Sequence, residues 1–571
     1  MERQQFSVLF HAFRSRIVDA ELVSPGGDVQ NLFVQAAAIL IAFNFVVTYG
    51  FVPRYFTSTL PRATLQIRAW GDEEFVISST ISVVALLIVL AWNSFLPDIR
   101  DALVLGGLPV RRRTVGFAKL SAIGCAVLCV VLLGNIFTSF GYASIAAADS
   151  SILSFVRALG SYWIACLAAA LFTVSFFCLL QALAVQLLSY RAFLRFSSWL
   201  QMISFFSILA LFLLKPPLAT VEGLTVQNWH CLRLLPSYWF LGFFQELNGS
   251  DRPIFARLAG YGMMVTFIVL IVSAVSLARA YRNIAKKIVE QPDISPADRS
   301  THVSQALTVV LRALLPRPID RAIFSFSLCT IARSHKHRLL MAMYSGIGLA
   351  IGIAYTESLL RGGWGHQWSR PNEPLLVASL IVLFFVVLGM RLVFTFPQAL
   401  RCNWVFRVTA VNYPADYFLA VRKSLYGMAM LPVLIACTIL FCAIWPLPSA
   451  LLHIGVLALV GAIVVEKSLC GFRKIPFACS YLPGKSNLNV TLGLYAAGIL
   501  VAASRGAALE LWAMGQPYRY LGIVSLLLGF MVWRRHQFNR FAAAPMTTLQ
   551  FEERPADHIV SMDLRKDGEL A

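Results

Sequence analysis

The feature that most constrains this chain is a series of apolar stretches, each long enough to cross a bilayer as a helix. A spanning helix needs about 20 mostly apolar residues, because the hydrocarbon core is about 30 Å thick. We predict twelve such helices, in two sets of six around a basic polar stretch at 279–338. The first set is 31–52, 74–97, 115–139, 159–189, 198–215 and 258–279, and the second is 338–360, 374–394, 426–446, 451–470, 489–507 and 519–535.

The composition argues against a water-soluble protein of this length. Hydrophobic residues make up 58% and charged residues 13% of the 571 residues, and the mean hydropathy is +0.71. A water-soluble fold of this length could hardly bury so many apolar side chains. The fold class that we predict is an all-α polytopic membrane protein, with about 12 transmembrane helices in two six-helix halves.

The basic residues predict the orientation and argue against nucleic-acid binding. With the N-terminus inside, about three quarters of the 48 Lys and Arg residues fall on the cytoplasmic side, where basic loops are retained. Both termini are therefore predicted to be cytoplasmic. The net charge of +20 lies largely in short loops beside spans, so we predict contact with membrane lipid and no nucleic-acid partner.

Each set of spans is preceded by a pattern typical of an amphipathic helix on the membrane surface. In the first copy Arg14 lies opposite an apolar stripe that consists of Phe6, Leu9, Phe10, Phe13 and Ile17. In the second copy, at 324–338, a basic end begins at Arg333 and follows the stripe Phe324, Leu328 and Ile331. The two patterns are similar enough to suggest the same element.

A second similarity follows the second span of each set. The segments 95–120 and 396–425 both begin at Phe and Pro, carry Arg residues and a second Pro (Pro109 or Pro414), and return through basic residues. We interpret the two sets as an internal duplication, with two merely similar loops as the alternative. The predicted domains are an N-terminal amphipathic helix (1–30), a first transmembrane half (31–280), a cytoplasmic linker (281–323), a second amphipathic helix with its transmembrane half (324–535) and a polar cytoplasmic tail (536–571).

The sequence contains no complete ATP-binding or catalytic motif. The segment 482–487, LPGKSN, resembles the end of a phosphate-binding loop, but Cys479 stands where that loop requires its first Gly, and no sheet is predicted around it. We interpret the segment as a turn. We therefore predict that this chain is not an enzyme and holds no cofactor or metal of its own.

Two other functions remain open. Major-facilitator transporters share a twelve-span plan, but the loop after the second span lacks their compact basic signature, and mid-span positions are almost free of charge, with His453 beginning a span at the outer side. A membrane-embedded glycosyltransferase would place acids in its first outer loop, where Gly71–Glu74 is predicted to lie, although that loop is short. We keep the secondary transporter as the alternative and the glycosyltransferase as a lesser one.

The longest predicted outer loop, 216–257, contains an aromatic segment at 234–249. Its side chains include Trp239, Phe240 and Phe243, which make it apolar enough to lie in the outer interface or to dip into the bilayer. The sequence leaves two interpretations open, an aromatic anchor or an outer lid on a translocation path.

Taken together, these features resemble the permeases of type-2 ATP-binding-cassette (ABC) exporters. That family places an amphipathic helix before the first span, a short cytoplasmic segment after the second span, and an aromatic segment between the fifth and sixth. The amino-acid sequence at 96–120, 234–247, 332–350 and 475–487 is similar to that of bacterial members, and the similarity covers most of the chain. It implies a fused twelve-span permease in a bacterial inner membrane, driven by separate ATPase subunits, two copies per chain, which would hold the ATP and Mg.

By the same resemblance, Phe6–Ile17 and Phe324–Arg338 would be connecting helices, and Asp98–Thr114 and Gln398–Val421 would be coupling segments that dock the ATPase. The residues expected to contact the ATPase are Asp98, Arg100, Asp101, Arg111, Arg112 and Arg113, with Arg401 and Arg407 in the second half. Cytoplasmic retention explains the triplet Arg111–Arg113 equally well.

The sequence does not indicate the substrate. The apolar spans are compatible with lipids, lipopeptides or hydrophobic drugs. Some polar residues in the middle of spans fit hydrogen-bonded ties between helices; they are Asn44, Asn135, Gln181 and Gln186.

Overall fold

The structure is a computed structural model that describes residues 2–14, 29–58, 61–92, 95, 110–147, 151–188, 190–213, 218–289, 311–361, 368–396, 414–469, 472, 477 and 488–543. Within these ranges every regular element is a helix. The chain divides into two compact units, which we call unit 1 (Met1–Arg299 with Leu349–Ser358) and unit 2 (Ser300–Gly348 with Leu359–Ala571).

The main helices are as follows. Up to residue 289 they are α1 (Glu2–Arg14), α2 (Val29–Phe51), α3 (Arg62–Leu90), α4 (Arg112–Ala146), α5 (Ile152–Leu187), α6 (Tyr190–Leu213), α7 (Pro236–Leu247) and α8 (Pro253–Val289). After residue 317 they are α9 (Pro318–Arg333), α10 (His335–Arg361), α11 (Glu373–Val393), α12 (Pro414–Leu425), α13 (Leu431–Ile444), α14 (Leu447–Ser468), α15 (Leu488–Met514) and α16 (Pro517–Ala543). A π-helical turn, Tyr426–Met430, joins α12 to α13.

Nine helices of the described ranges are long and apolar enough to cross a membrane. They are Ala37–Phe56, Thr64–Leu90, Arg113–Ala146, Ile152–Leu187, Pro253–Tyr281, Lys336–Thr356, Glu373–Val393, Ala415–Ile444 and Leu447–Ser468. They overlap nine of the twelve predicted spans, so the chain is a multi-pass, helical membrane protein. The other three predicted spans fall on α6, whose apolar part is the shorter Trp199–Leu213, and on α15 and α16.

Several helices extend beyond the predicted spans, and these bounds are corrections. Helix α3 begins at Arg62 instead of residue 74, and α15 continues to Met514 instead of residue 507. Helix α16 continues to Ala543, past the predicted start of a polar tail at 536, and Phe538 and Ala542 near its end are buried. The predicted coupling segment that ends at Val421 overlaps the first turns of α12, which runs on into the ninth predicted span.

Unit 1 is built around α5, which packs against α3, α4, α7 and α8. Helices α7 and α8 approach closely at two glycines. A Cβ added at Gly242 would lie 2.6 Å from Leu258 Cβ, and one added at Gly262 would lie 2.6 Å from Trp239 Cβ. Small residues let helix backbones approach in a membrane, where lipid supplies no hydrophobic force between helices. The close contact of α7 with α8 at these two glycines therefore fixes α7 within the bundle.

Three helix pairings of unit 1 recur in unit 2. The element before the spans packs against the start of the third predicted span in each unit, α1 on α4 and α9 on α12. The second and fourth predicted spans pair as α3 with α5 and as α11 with α14, and the fourth and sixth pair as α5 with α8 and as α14 with α16. Three helix pairings thus recur in the two units.

Candidate functional site

Most residues expected to contact an ATPase lie outside the described residues. These are Asp98, Arg100, Asp101, Arg401 and Arg407. Arg111 directly precedes α4, and both it and Arg113 in the first turn of that helix are exposed, while Arg112 belongs to α4 but its side chain is not among those described. The structure therefore places the arginine triplet at the start of α4 and leaves its role as a docking site a prediction.

The predicted first amphipathic helix packs against α4. Phe13 is buried against Ala118 and Ala122, and Phe6 and Phe10 are half-buried against the same cluster. Lys119 Nζ lies 5.1 Å above the Phe13 ring, a cation–π distance, and Arg14 is exposed. Phe6, Leu9, Phe10 and Phe13 of the predicted stripe thus face α4, and Ile17 lies outside the described residues.

The buried side chains of the second predicted amphipathic helix differ from its apolar stripe. Phe324 and Leu328 are half-buried and Arg333 is exposed, whereas the buried side chains of α9 are Asp320, Ile323, Ser327 and Thr330. Lys423 of α12 forms an ion pair with the buried Asp320. The ion pair of Asp320 with Lys423 therefore joins the buried face of α9 to α12.

A buried ion pair lies next to this contact, inside unit 2. Arg422 Nη1 of α12 is 3.4 Å from Glu466 Oε1 of α14, and the side chains are 7% and 1% exposed. Tyr426 donates a hydrogen bond to the same carboxylate oxygen at 3.1 Å, and Arg422 donates one to Asn539 of α16 at 3.0 Å. Three helices, α12, α14 and α16, therefore meet at one charged cluster.

The aromatic segment is helix α7, and it lies inside unit 1. Trp239 and Phe240 are buried and Phe243 is half-buried, within a cluster to which α3, α5 and α8 contribute. Trp239 Nε1 donates a hydrogen bond to the carbonyl of Arg233 at 3.1 Å. Because α7 packs on three helices, it is an integral part of the bundle.

The acidic cluster Gly71–Glu74 does not lie in the outer loop that the sequence predicted. It is part of α3, and Glu73 and Glu74 are buried. Gln245 of α7 donates a hydrogen bond to Glu73 Oε2 at 2.6 Å, and Tyr55 donates one to Asp72 Oδ2 at 2.5 Å. These partners allow the acids to enter the helix, so the outer loop that a glycosyltransferase would use is not formed by these residues.

A polar network joins four helices in the middle of unit 1. Asn135 Oδ1 of α4 accepts hydrogen bonds from Thr80 of α3 at 3.1 Å and from Tyr162 of α5 at 2.7 Å. Asn44 of α2 donates to Thr138 of α4 at 3.0 Å, and Thr138 lies 2.8 Å from the Tyr162 hydroxyl. All five side chains are buried. The interpretation of mid-span polar residues as ties between helices is thus confirmed for Asn44 and Asn135.

We expect Asn135→Ala to destabilise the protein by about 1–2 kcal/mol, because it removes the buried acceptor that Thr80 of α3 and Tyr162 of α5 share, although Thr80 keeps its bond to the Val76 carbonyl and Tyr162 its contact with Thr138. Ser144→Ala, in the same helix, is the control, since Ser144 is exposed and bonds only to the carbonyl of Phe140. Unfolding in detergent, titrated with SDS, measures both variants. Equal stability of the two variants would contradict the role of the network.

A second polar cluster, in unit 2, escaped the sequence-based predictions. His453 of α14 lies 2.7 Å from Glu510 of α15 through Nδ1 and 2.9 Å from Ser379 of α11 through Nε2. His453 is 0% and Glu510 is 3% exposed, whereas the sequence placed His453 at the outer end of a span and Glu510 in a loop. The two residues are 57 positions apart, so no local sequence pattern could pair them. The one available signal was that the helical spacing of apolar residues continues as far as Glu510.

Comparisons of the chain with family models, with curated proteins and with solved structures found no match.

Proposed function

We propose that this chain is the membrane-spanning permease subunit of an ABC-type exporter, a fused form whose two six-helix halves form the translocation pathway. Separate ATPase subunits, one for each half, would dock on its cytoplasmic loops and supply the ATP hydrolysis. The proposal starts from the resemblance of the sequence to bacterial type-2 exporter permeases. It places both termini on the cytoplasmic side of a bacterial inner membrane.

One observation carries the proposal furthest. In each unit a helix that precedes the spans packs against the start of the third predicted span, α1 on α4 and α9 on α12. The segment that would receive the ATPase directly precedes that same start, at Asp98–Thr114 and Gln398–Val421. A push on either segment would therefore reach a spanning helix directly and its amphipathic partner at the same time.

The first test asks whether an ATPase can be cross-linked to the predicted coupling segment Asp98–Thr114. A photo-reactive amino acid placed at Asp101 in native membranes should cross-link a protein with a complete phosphate-binding loop, and the same group placed at Arg370 should not. Arg370 is exposed and lies on the side that we predict to be extracellular. Cross-linking of the same ATPase from both positions would refute the docking site.

The second test uses the recovered ATPase. Arg100→Ala should weaken its binding to the chain about tenfold, the loss expected when one charged hydrogen bond of roughly 1.5 kcal/mol is removed. Arg505→Ala, an exposed position at the opposite predicted side, is the control. The chain without its partner should neither bind nor hydrolyse ATP, and stoichiometric nucleotide binding by the purified chain would overturn the proposal.

A second candidate function is a proton-coupled secondary transporter of the major-facilitator kind. The buried pair of His453 and Glu510 favours it, because ionisable groups inside a membrane bundle usually serve ion or proton movement. A transporter of this kind would work without any ATPase, so transport by the chain alone, driven by a pH gradient in proteoliposomes, would establish it. We do not propose the glycosyltransferase, since the acids on which it depended lie within α3.

A further inference from the structure

A half-buried carboxylate in unit 1 faces two tyrosine hydroxyls, and we call this place the Asp72 site. Asp72 belongs to α3. Tyr55 lies in the short helix Pro53–Phe56 that follows α2, and its hydroxyl is 2.5 Å from Asp72 Oδ2. Tyr142, near the end of α4, presents its hydroxyl toward Asp72 and Tyr55. The site consists of these three side chains.

The charge of Asp72 is not balanced by an ion pair in the described part of unit 1. Its hydrogen-bond partner is Tyr55, and no Lys or Arg side chain of the described ranges lies at salt-bridge distance from it. Arg54 acts on Asp72 electrostatically, yet its guanidinium is exposed and lies over the Phe51 ring at 5.2 Å. A positively charged ligand would therefore gain a carboxylate that no internal cation occupies.

Three buried acids of unit 2 show the contrasting arrangement. Each of them lies at salt-bridge distance from a basic side chain; the pairs are Asp320 with Lys423, Glu466 with Arg422, and Glu510 with His453. Their helices are thereby joined internally. Asp72 has two phenol groups in place of such a partner, and its side chain is partly exposed. It therefore remains accessible to a ligand from outside.

The Tyr142 hydroxyl is unsatisfied, although it faces these polar groups. Tyr142 is 0% exposed, and its hydroxyl has no hydrogen-bond partner among the described residues. Its electrostatic neighbours are Asp72, Tyr55 and Glu73. Buried hydroxyls in proteins are normally hydrogen-bonded. The Tyr142 oxygen thus provides a second acceptor for a ligand that also donates to Asp72.

Two phenylalanine rings lie beside the carboxylate. Phe75 follows Asp72 by three positions in α3, so the two side chains are neighbours on one face of that helix. The Phe75 ring is 5.9 Å from the Phe51 ring, and both side chains are half-buried. Aromatic faces attract organic cations, and Phe51 already contacts the guanidinium of Arg54. The surroundings of Asp72 therefore favour a cation that carries carbon atoms.

We propose that the Asp72 site binds the ammonium group of an organic cation, either a free amine or the headgroup of an aminophospholipid. The ammonium N–H groups would donate to Asp72 and to Tyr142, and the phenylalanine rings would contact the adjoining carbon atoms. A metal ion fits less well, because one carboxylate and two phenols supply fewer ligands than the roughly six to eight oxygens that Ca²⁺ takes. The proposal concerns binding alone and does not depend on an ATPase.

The test compares a cation with an uncharged molecule of the same shape. The probe is 2-phenylethylammonium, and 2-phenylethanol is its match. Binding to the purified full chain in a neutral detergent is measured by isothermal titration calorimetry, with micelles that lack protein as the blank. The alcohol should bind at least about tenfold more weakly than the ammonium, because it loses the charge-assisted hydrogen bond to Asp72.

Asp72→Asn tests the charge at nearly constant size. The asparagine can still accept the hydrogen bond of Tyr55, but it carries no charge, so the probe should bind at least about tenfold more weakly. Asp251→Asn is the matched control. Asp251 is exposed and lies in the same predicted outer region, and its variant should bind the probe as the wild-type chain does.

Tyr142→Phe separates a ligand contact from a structural contact. The lost hydroxyl has no partner in the described fold, so unfolding by SDS should be unchanged. Binding of the probe should nevertheless weaken by about fivefold, since one neutral acceptor is removed. A purely structural hydroxyl would have the opposite effect, with lower stability and unchanged binding. This variant also serves if Asp72→Asn does not fold.

Two lipids distinguish the sources of the ammonium group. Phosphatidylethanolamine added to the micelles should displace the probe if the site takes a lipid headgroup, whereas phosphatidylglycerol, which has no amine, should not. Displacement by the first lipid alone supports a headgroup site, and displacement by neither supports a site for free amines. Equal displacement by both lipids would refute selectivity for ammonium.

Equal affinity of the probe for the wild-type chain, Asp72→Asn and Tyr142→Phe would overturn the site, and so would equal affinity of the wild-type chain for the ammonium and the alcohol. None of these measurements includes ATP or an ATPase. Their failure would therefore leave the proposed permease function standing.

Discussion

Replacing Arg422 with Met is expected to destabilise unit 2 by about 3–5 kcal/mol, because it leaves a carboxylate buried without its cation. Glu466 is 1% exposed, and Arg422 is its partner at 3.4 Å. The Tyr426 hydrogen bond remains, but one neutral donor cannot replace a guanidinium. The change should appear as a lower SDS concentration at the midpoint of unfolding.

Two further variants separate the buried charge from general disruption. The double variant Arg422→Met with Glu466→Met should recover most of the lost stability, since apolar residues of similar size often replace a buried ion pair without loss. Arg317→Met removes the exposed partner of Asp416, 3.4 Å away in a pair that is 60% and 45% exposed, and should change stability by less than about 1 kcal/mol. Equal effects of Arg422→Met and Arg317→Met would show that burial does not govern these pairs.

Gly262→Val should destabilise unit 1 by about 3 kcal/mol, because the new side chain has no room between α7 and α8. A Cβ at this position would lie 2.6 Å from Trp239 Cβ, which is fixed to the backbone of α7. The helices must then separate, and the buried rings of α7 lose their contacts. Thermal unfolding in detergent measures this change.

Gly260→Val is the control for this prediction. Gly260 lies two positions earlier in the same helix, and a Cβ placed there would meet nothing within 4 Å. It should therefore show only the small effect of helix propensity, less than about 1 kcal/mol. If both valine variants were equally stable, the close contact of α7 with α8 would not be a determinant of the fold.

Nine of the twelve predicted spans coincide with long apolar helices of the described ranges, because apolar length is a local property of the sequence. It missed the start of α3, since Asp72, Glu73 and Glu74 appear too polar for a span. Their acceptance in the helix depends in part on Gln245, which lies 172 residues after Glu73. Contacts at that distance leave no trace in a local pattern.

At the candidate sites, too, local sequence patterns could be read, whereas contacts between distant residues could not. The apolar stripe of α1 is a local pattern, and its described members pack on α4. In α9 the ion pair of Asp320 with Lys423 lies on the buried face, and its partners are too far apart in the sequence for a local pattern to pair them. The pair of His453 and Glu510 could not be read either, because each residue alone resembles an ordinary polar residue near the end of a span.

The attachment of α2 has a consequence for biosynthesis. This helix exposes Phe45, Val46 and Tyr49, and Asn44 ties it to α4 through a 2.7 Å hydrogen bond from the Phe137 amide. That partner lies 93 residues later in the chain. At about 5–20 residues per second, the ribosome needs about 5–20 s to reach it. During this interval the nascent α2 must remain in the membrane with the side chain of Asn44 lacking its partner in α4.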